Sequence, residues 1–269
     1  MTADADMPRS LAILGCGNMG EAILRGLLAH DAPPPTIHAY DPNDSRRAAL
    51  ADLALHWSPD PAAASREAEV VLLAVKPQTM PALLEQLAPE ADGRLFVSIA
   101  AGITTTFIES RLPGARVVRT MPNTPLLAGR GVVGLSAGAS AGPGDMARAR
   151  ALFPQAILLE VAESKMDAVT AVSGSGPAYF FAFVEALAAA AQAEGFDEAT
   201  AATLAAGTFA GAAALLEQSG LDAGELRARV TSPGGTTQAA LEVLTPELPG
   251  LIRSAVAAAV RRGRELGGS

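Results

Sequence analysis

The sequence predicts an α/β fold in which a doubly wound parallel sheet is followed by an all-helical C-terminal domain. Short apolar runs alternate with helical patterns as far as Val161, which is typical of strand–helix–strand units. From Lys165 onward the strand signals stop and helix follows helix. Hydrophobic residues make up 49% of the chain and aromatic residues only 4%, which favours close packing of small side chains. We therefore predict one domain over residues 1–163 and a second over residues 164–269.

The first half begins with a strand over residues 11–14, a helix over residues 21–28 and a strand over Thr36–Tyr40. Apolar positions at helical spacing separate these runs, and Asp41 closes the second strand. Further strands are predicted at residues 70–75, 95–99, 116–120 and 132–135, and helices at residues 45–53 and Met80–Leu87.

In the second half, Pro177 is placed as the first-turn proline of a long helix that runs through Glu194. Asp197 can cap the next helix, which runs to about Gln218, and further helices follow residues 219–222 and Pro246. Apolar residues cover more than one face of these helices. A domain of this size has too little interior to bury them all, so we expect a second subunit to cover them.

Composition excludes several classes of partner. A net charge of −8 argues against nucleic acid and anionic membranes. Cys16 is the single cysteine, and the three histidines are scattered, so we expect no disulfide and no metal site. The first ten residues hold no apolar signal core, and we expect no apolar run of about 18 residues without a charge or turn. These features predict a cytoplasmic protein.

A glycine-rich loop follows the first strand and opens the first helix. Its residues Gly15, Cys16, Gly17, Asn18, Met19 and Gly20 form a G-x-G-x-x-G pattern, and Asp41 follows 21 positions after Gly20. Together these features form the dinucleotide-binding fingerprint. Asp41 fits a hydrogen bond to ribose hydroxyls, which favours NAD, whereas Arg46 and Arg47 could hold the 2′-phosphate of NADP. Both NADH and NADPH therefore stay open.

Other polar residues follow the later strands. Lys76 ends the third strand ahead of Pro77, where it would lie near the ribose or nicotinamide of a cofactor, or else in solvent. Asn123 lies in a loop fixed by two prolines. Residues 173–177 break a helical pattern and restart it, either as a tight helix junction or as part of a site. Glu163, taken alone, is interpreted as a solvated charge.

A second anion-binding loop lies more than two hundred residues downstream. Within residues 230–241, Ser232-Pro233 is followed by a glycine pair, two threonines and the start of an apolar helix. Free N–H groups at a helix start hold anions, and hydroxyls add donors beside them. One loop suits a dinucleotide and the other a small carboxylate, so the pair predicts a cofactor-dependent enzyme.

Together these segments resemble the pyrroline-5-carboxylate reductase family. The matching pieces are residues 15–23, 73–78, 98–103, 119–125, 167–179 and 230–241. The resemblance implies NAD(P)H-dependent reduction of 1-pyrroline-5-carboxylate, a cyclic imine carboxylate, to L-proline, the last step of proline biosynthesis. It also implies a Rossmann domain, a helical dimerisation domain and a homodimer that can form a ring of dimers.

The resemblance assigns roles to individual residues. Cofactor contacts fall on the glycine loop, Ala74, Lys76 and Ala101. Substrate contacts fall on Glu163, Ser232, Gly234, Gly235, Thr236 and Thr237. No histidine, cysteine or carboxylate accompanies the substrate loop, so Thr237 is the catalytic candidate, in a supporting role. The family's usual residues after the second strand, in the segment before the third strand and before the substrate loop are replaced at Asp41-Pro42-Asn43, near Asp60-Pro61 and at Ala223.

Two other functions fit parts of the sequence. A β-hydroxyacid dehydrogenase or another imine dehydrogenase shares the two-domain plan, but the former places a catalytic lysine on the first long C-terminal helix. Residues 176–195 contain no lysine. A non-catalytic NAD(P)-binding regulator would keep the glycine loop but would not need a carboxylate-binding loop.

Overall fold

The computed structural model describes residues 6–30 and 34–266, and these form two compact units. The first unit contains the chain up to Ser175 together with the segment that starts at Ala259, and the second is Gly176–Ala258. The first unit thus extends beyond residue 163, where we predicted the functional boundary. That boundary stays a prediction.

The first unit contains an eight-stranded sheet with the order β3-β2-β1-β4-β5-β6-β7-β8. Its strands are β1 (Ser10–Leu14), β2 (Thr36–Tyr40), β3 (His56–Trp57), β4 (Val70–Leu73), β5 (Leu95–Ser98), β6 (Arg116–Met121), β7 (Val132–Ala137) and β8 (Ile157–Glu160). The strand order reverses direction between β1 and β4, which is the switch point where ligands bind in doubly wound sheets.

We predicted a parallel sheet, but one strand pair in it is antiparallel. Strands β1 to β6 are parallel, but β7 runs antiparallel to β6, and β8 is parallel to β7. Only residues 122–131 link β6 to β7. A parallel crossover needs a dozen or more residues, so this short link can only reverse the chain.

Helices cover both faces of the sheet. They are α1 (Asn18–Leu28), α2 (Asp44–Ala49), α3 (Pro61–Arg66), α4 (Met80–Leu87), α5 (Thr105–Glu109), α6 (Pro143–Ala151) and α7 (Met166–Val169). The central strands read as continuous apolar runs because both of their faces are buried. In β1, Leu11 and Ile13 pack in one core cluster while Ala12 and Leu14 pack in the other.

Two strands were missed by the sequence analysis. β3 has only two residues, too few to show alternation. β8 lies at the edge of the sheet, and its Ile157 and Leu159 are 64% and 49% exposed. Its sequence, Ile-Leu-Leu-Glu, lacks the alternation that marks a half-buried strand. Helix α2 is also shorter than the predicted 45–53 segment.

The second unit is helical, as predicted. It contains α8 (Gly176–Ala193), α9 (Glu198–Ser219), α10 (Ala223–Arg229) and most of α11 (Thr236–Leu266). The Asp197 side chain caps α9 by accepting a hydrogen bond from the Thr200 N–H at 2.9 Å. The rings of Phe180 and Phe209 pack with centroids 5.7 Å apart.

The expected helix after Pro246 does not begin there. Instead α11 runs continuously for 31 residues with Pro246 and Pro249 inside it. Each proline removes one backbone donor and is unfavourable in a helix interior. The helix nevertheless continues through both positions, so proline spacing alone gave the wrong boundary.

Large apolar side chains are exposed on the second unit. They include Phe180, Phe181, Phe183, Phe196, Leu204, Leu215, Val243 and Leu251. Two helical segments of the described chain, Glu198–Ser219 and Thr236–Glu265, are long and apolar enough to cross a membrane by length and composition. We expected no apolar run of about 18 residues without a charge or turn, and α9 corrects this, because its residues 199–216 are helical and contain no charged side chain. Such helices are weak evidence for a membrane span, because apolar helices of soluble proteins pass the same test.

Candidate functional site

The carboxyl ends of the central strands meet at one edge of the sheet in the first unit. Leu14, Leu73, Ser98 and Arg119 are paired across neighbouring strands at one level. The loops that begin just beyond them therefore start side by side. These loops carry the glycine sequence, Ala74 and Lys76, Ala101, and Asn123.

The glycine loop has the shape that a dinucleotide requires. Gly15 has a φ of +99°, and a Cβ added there would lie 2.7 Å from the carbonyl oxygen of Ala74. A Cβ on Gly20 would lie 2.5 Å from the carbonyl oxygen of Gly15, whereas one on Gly17 would meet nothing within 4 Å. The first and third glycines thus allow close packing, and the second leaves open space for a ligand. The loop fits a dinucleotide.

Helix α1 begins at this open position. Gly17 is its N-cap residue, and among the described residues no side chain caps it. Asn18 is exposed and Met19 half-buried. Free N–H groups and the positive end of the helix dipole favour a phosphate at such a terminus.

The side chains of Asp41 and Arg46 hold the glycine loop through hydrogen bonds to the backbone of Cys16. Asp41 Oδ2 accepts a hydrogen bond from the Cys16 N–H at 2.7 Å, and its Oδ1 accepts from the Asn43 N–H at 2.9 Å. Arg46 Nε donates to the Cys16 carbonyl oxygen at 2.6 Å, and Arg46 Nη2 donates to Glu21 at 2.7 Å. Hydrogen bonds from Arg25 and Arg46 lower the pKa of Glu21, which keeps it ionised.

A cavity of about 510 Å³ lies beside the end of β2. It is lined by Tyr40, Asp41, Pro42, Asp44, Arg47, Trp57, Ser58 and Pro59. The Arg47 guanidinium lies 5.2 Å from the centroid of the Trp57 ring, within the range of a cation–π contact. An aromatic surface beside charged groups suits the adenosine part of a dinucleotide.

The remaining predicted cofactor residues lie at the same edge. The Ala74 N–H donates to the Leu14 carbonyl at 2.8 Å, which joins the ends of β4 and β1. Lys76 is exposed, and its carbonyl accepts from the N–H and the hydroxyl of Thr79. Ala101 follows β5 and is half-buried.

A charged cluster that we did not predict lies at this edge of the sheet. Arg119, two residues before the end of β6, is only 2% exposed and lies 3.6 Å from Glu163 and 3.3 Å from Asp167. Its Nε has no hydrogen-bond partner in the described structure. Glu163 also accepts hydrogen bonds from Thr105, so interpreting it as a solvated charge was wrong. Its predicted substrate contact is not tested by these bonds.

Asn123 contacts Ser173 within the first unit. Asn123 Nδ2 donates to the carbonyl and the hydroxyl of Ser173, both at 3.2 Å, and its Oδ1 accepts from the Val132 N–H. Thr170–Gly174 forms a π-helical turn immediately before α8. Such turns are rare and frequently lie at functional sites.

The second loop lies in the second unit and opens α11. Gly234 has a φ of +70°, and its N–H donates to Gln238 Oε1 at 2.8 Å. A Cβ on Gly235 would lie 2.5 Å from the Ser232 hydroxyl oxygen. Thr236 and Thr237 are the first two residues of α11, with Thr237 half-buried. Both hydroxyls therefore lie at the helix N-terminus, where an anion is favoured.

Comparisons with known proteins agree with this arrangement. The family model for pyrroline-5-carboxylate reductase dimerisation matches residues 163–266, and a model described as NADP oxidoreductase, coenzyme F420-dependent, matches residues 10–102. A pyrroline-5-carboxylate reductase from Synechocystis is 40% identical over 97% of this chain and 99% of its own. The corresponding protein from Pseudomonas aeruginosa is 41% identical over 95% and 96%.

Solved structures give the same result. A pyrroline-5-carboxylate reductase from Coxiella burnetii superposes with a TM-score of 0.88 at 34% identity, covering 95% of this chain and 97% of that one. The Plasmodium falciparum pyrroline carboxylate reductase with NADP bound superposes with a TM-score of 0.84 at 26% identity, covering 96% and 98%. By near full-length similarity, the chain belongs to the pyrroline-5-carboxylate reductase family.

Proposed function

We propose that this chain reduces 1-pyrroline-5-carboxylate to L-proline with NADH or NADPH. The observation that carries the proposal is a second anion-binding helix start, at Thr236 and Thr237, in a family member that already has a dinucleotide loop. A reductase of a carboxylated imine needs both sites. A protein that only bound NAD(P) would need one.

The first unit would hold the cofactor. The backbone of residues 15–20 and the start of α1 would bind the pyrophosphate, and Asp41 would face the adenosine ribose. Ala74, Lys76 and Ala101, at the ends of β4 and β5, would line the rest of the dinucleotide. When bound, the reduced nicotinamide supplies the hydride that the imine carbon accepts.

The second unit would hold the substrate carboxylate. Backbone N–H groups after Gly235 and the hydroxyls of Ser232, Thr236 and Thr237 offer short donors at the start of α11. The Thr237 hydroxyl would also hydrogen-bond the ring nitrogen. A protonated imine needs no strong enzymic acid, so positioning and exclusion of water are the tasks of the protein.

We assign dinucleotide binding to residues 1–163, and dimerisation and substrate binding to residues 164–269. The dimerisation-family match over residues 163–266 supports a homo-oligomer, and the exposed apolar side chains of α8, α9 and α11 supply its interface. A ring of dimers, a cytoplasmic location, and the absence of nucleic-acid and membrane partners and of a metal complete the proposal.

The test is turnover of 1-pyrroline-5-carboxylate by the full-length protein. We expect loss of reduced-nicotinamide absorbance together with equimolar proline, identified by mass spectrometry. A parallel assay with β-hydroxyacids and oxidised cofactor tests the dehydrogenase alternative. Cofactor binding without turnover of either substrate class would contradict the proposal and favour a regulator.

A further inference from the structure

Two neighbouring arginines follow β2, and their surroundings differ. Arg46 is half-buried and bridges the Cys16 carbonyl oxygen, at 2.6 Å, and Glu21, at 2.7 Å. Arg47 is exposed, lies over the Trp57 ring and lines the 510 Å³ cavity. From sequence alone, either could be a ligand of a 2′-phosphate.

The Arg46 bond fixes a peptide plane in the middle of the glycine loop. A trans peptide is planar, so its C=O and N–H point in opposite directions. Holding the Cys16 carbonyl toward Arg46 therefore directs the Gly17 N–H to the opposite side. Asp41 fixes the preceding peptide in the same way, through the Cys16 N–H. Two consecutive peptides of the loop are thus oriented by side chains.

Two of the N–H donors of the Arg46 guanidinium are used in this role, through Nε and Nη2. Its charge faces Glu21, and each of the two side chains is 23% exposed. The other oxygen of Glu21 accepts from Arg25 at 2.9 Å. Two carboxylates, Asp41 and Asp44, line the 510 Å³ cavity with Arg47, which is the one arginine among its described lining residues.

We propose that Arg46 is a positioning residue that holds the glycine loop in its dinucleotide-binding shape, and that Arg47 is the residue that senses the 2′-phosphate. This inference rests on the cofactor-binding part of the proposed function, because it presumes that the loop binds NAD(P), and it does not depend on turnover of the imine. It predicts that Arg46 contributes equally to the affinities for NAD and NADP. Arg47 distinguishes between them.

The experiment measures dissociation constants of NAD⁺ and NADP⁺ by calorimetry on three variants of the full-length protein. For Arg46→Met we expect both affinities to fall by about tenfold, the scale of one lost hydrogen bond to a charged group, with their ratio unchanged. For Arg47→Met only the NADP⁺ affinity should fall. Arg25→Met is the matched control, because Arg25 also pairs with Glu21 but does not contact the loop. It should bind both cofactors like the wild type.

A milder substitution, Glu21→Gln, tests the same contact in case Arg46→Met does not fold. Glu21→Gln keeps Arg46 in place but removes its charged partner, so we expect a smaller loss of both affinities. Loss of NADP⁺ binding alone in Arg46→Met would overturn the inference, as would affinities equal to those of Arg25→Met. Wild-type cofactor binding without turnover of the imine would instead refute the proposed function and leave this inference standing.

Discussion

The carboxylate of Glu163 accepts two hydrogen bonds from Thr105, from its N–H at 2.6 Å and from its hydroxyl at 2.7 Å. This pair ties the segment after β8 to the start of α5. Arg119 contacts the same carboxylate from β6. Three segments of the first unit are thus joined at the edge that carries Ala101.

We predict that Thr105→Val and Glu163→Gln each lower the free energy of unfolding by about 1–2 kcal/mol, because each removes one partner of a part-buried hydrogen bond. The double variant should lose less than the sum, since both changes remove the same contact. Urea denaturation measures this, with the exposed Glu85→Gln as control. Additive losses would show that the two side chains act independently.

The same variants test the substrate contact that the family resemblance predicts for Glu163. If Glu163 binds the imine, Glu163→Gln raises the KM for the imine well above the value for Thr105→Val. Equal KM values would assign Glu163 to loop positioning alone.

Thr237→Val keeps the β-branched shape and removes one hydroxyl at the start of α11. Losing one charge-assisted hydrogen bond to the substrate should cost about 1.5–3 kcal/mol, or roughly ten- to a hundredfold in kcat/KM. Cofactor affinity should barely change. Intact turnover, or an equal loss of cofactor binding, would refute the carboxylate-loop assignment.

Asp41 combines a charge with two structural hydrogen bonds, and two substitutions separate them. Asp41→Asn keeps an acceptor for the Cys16 N–H and removes the charge, so the NADPH/NADH ratio of kcat/KM should rise by about tenfold, or about 1–2 kcal/mol. Asp41→Ser should shift the ratio similarly but weaken both cofactors, because the loop loses its acceptor. An unchanged ratio in both variants would place the discrimination entirely on Arg47.

Cys16 lies in the glycine loop but should be a poor nucleophile. Burial and the neighbouring Asp41 charge raise the pKa of its thiol to about 12, while Arg46 opposes them. Native alkylation by iodoacetamide at pH 8 should be at least about tenfold slower than in urea. Because the pKa of the Cys16 thiol is raised in the folded protein, its protonated form contributes to the free energy of unfolding. That contribution is complete below pH 9.0 and is lost as the pH rises toward 12. Cys16→Ala should show a weaker alkaline loss of stability, and equal alkylation rates would contradict this account.

The apolar second unit predicts an oligomer that resists dilution. Sedimentation at low micromolar concentration should show no monomer. Phe181→Glu, which charges a side chain that is 60% exposed in the single subunit, should produce monomers. Leu127→Glu is the matched control, since Leu127 is equally exposed but lies outside residues 163–266. A stable wild-type monomer would show that the helices do not need a partner.

Local patterns were sufficient to predict much of this fold. The glycine loop, the strand ends beside it and the Asp197 cap each depend on a few consecutive residues. The direction of β7 does not, because it depends on a link too short to cross the sheet. The end of α2 and the course of α11 also differed from the predictions.

The Arg119 cluster shows why part of the site was missed. Register places Leu135 level with both Thr120 and Glu160, so β8 returns the chain toward Arg119. Glu163 therefore meets Thr105 across 58 positions of sequence. Likewise, the Arg46 side chain on α2 contacts Cys16 across 30 positions of sequence. No local periodicity encodes such contacts.

The strand order has a consequence for biosynthesis. In the part of the chain that the structure describes, the eight strands precede Val161, whereas the exposed apolar helices α8, α9 and α11 come last. Chains are made from the N-terminus, and early domains generally fold as units during synthesis. The sheet and its glycine loop can therefore form on the ribosome before the exposed apolar helices have been synthesised. Because these helices are synthesised last, their apolar surface is exposed without a second subunit for a shorter time.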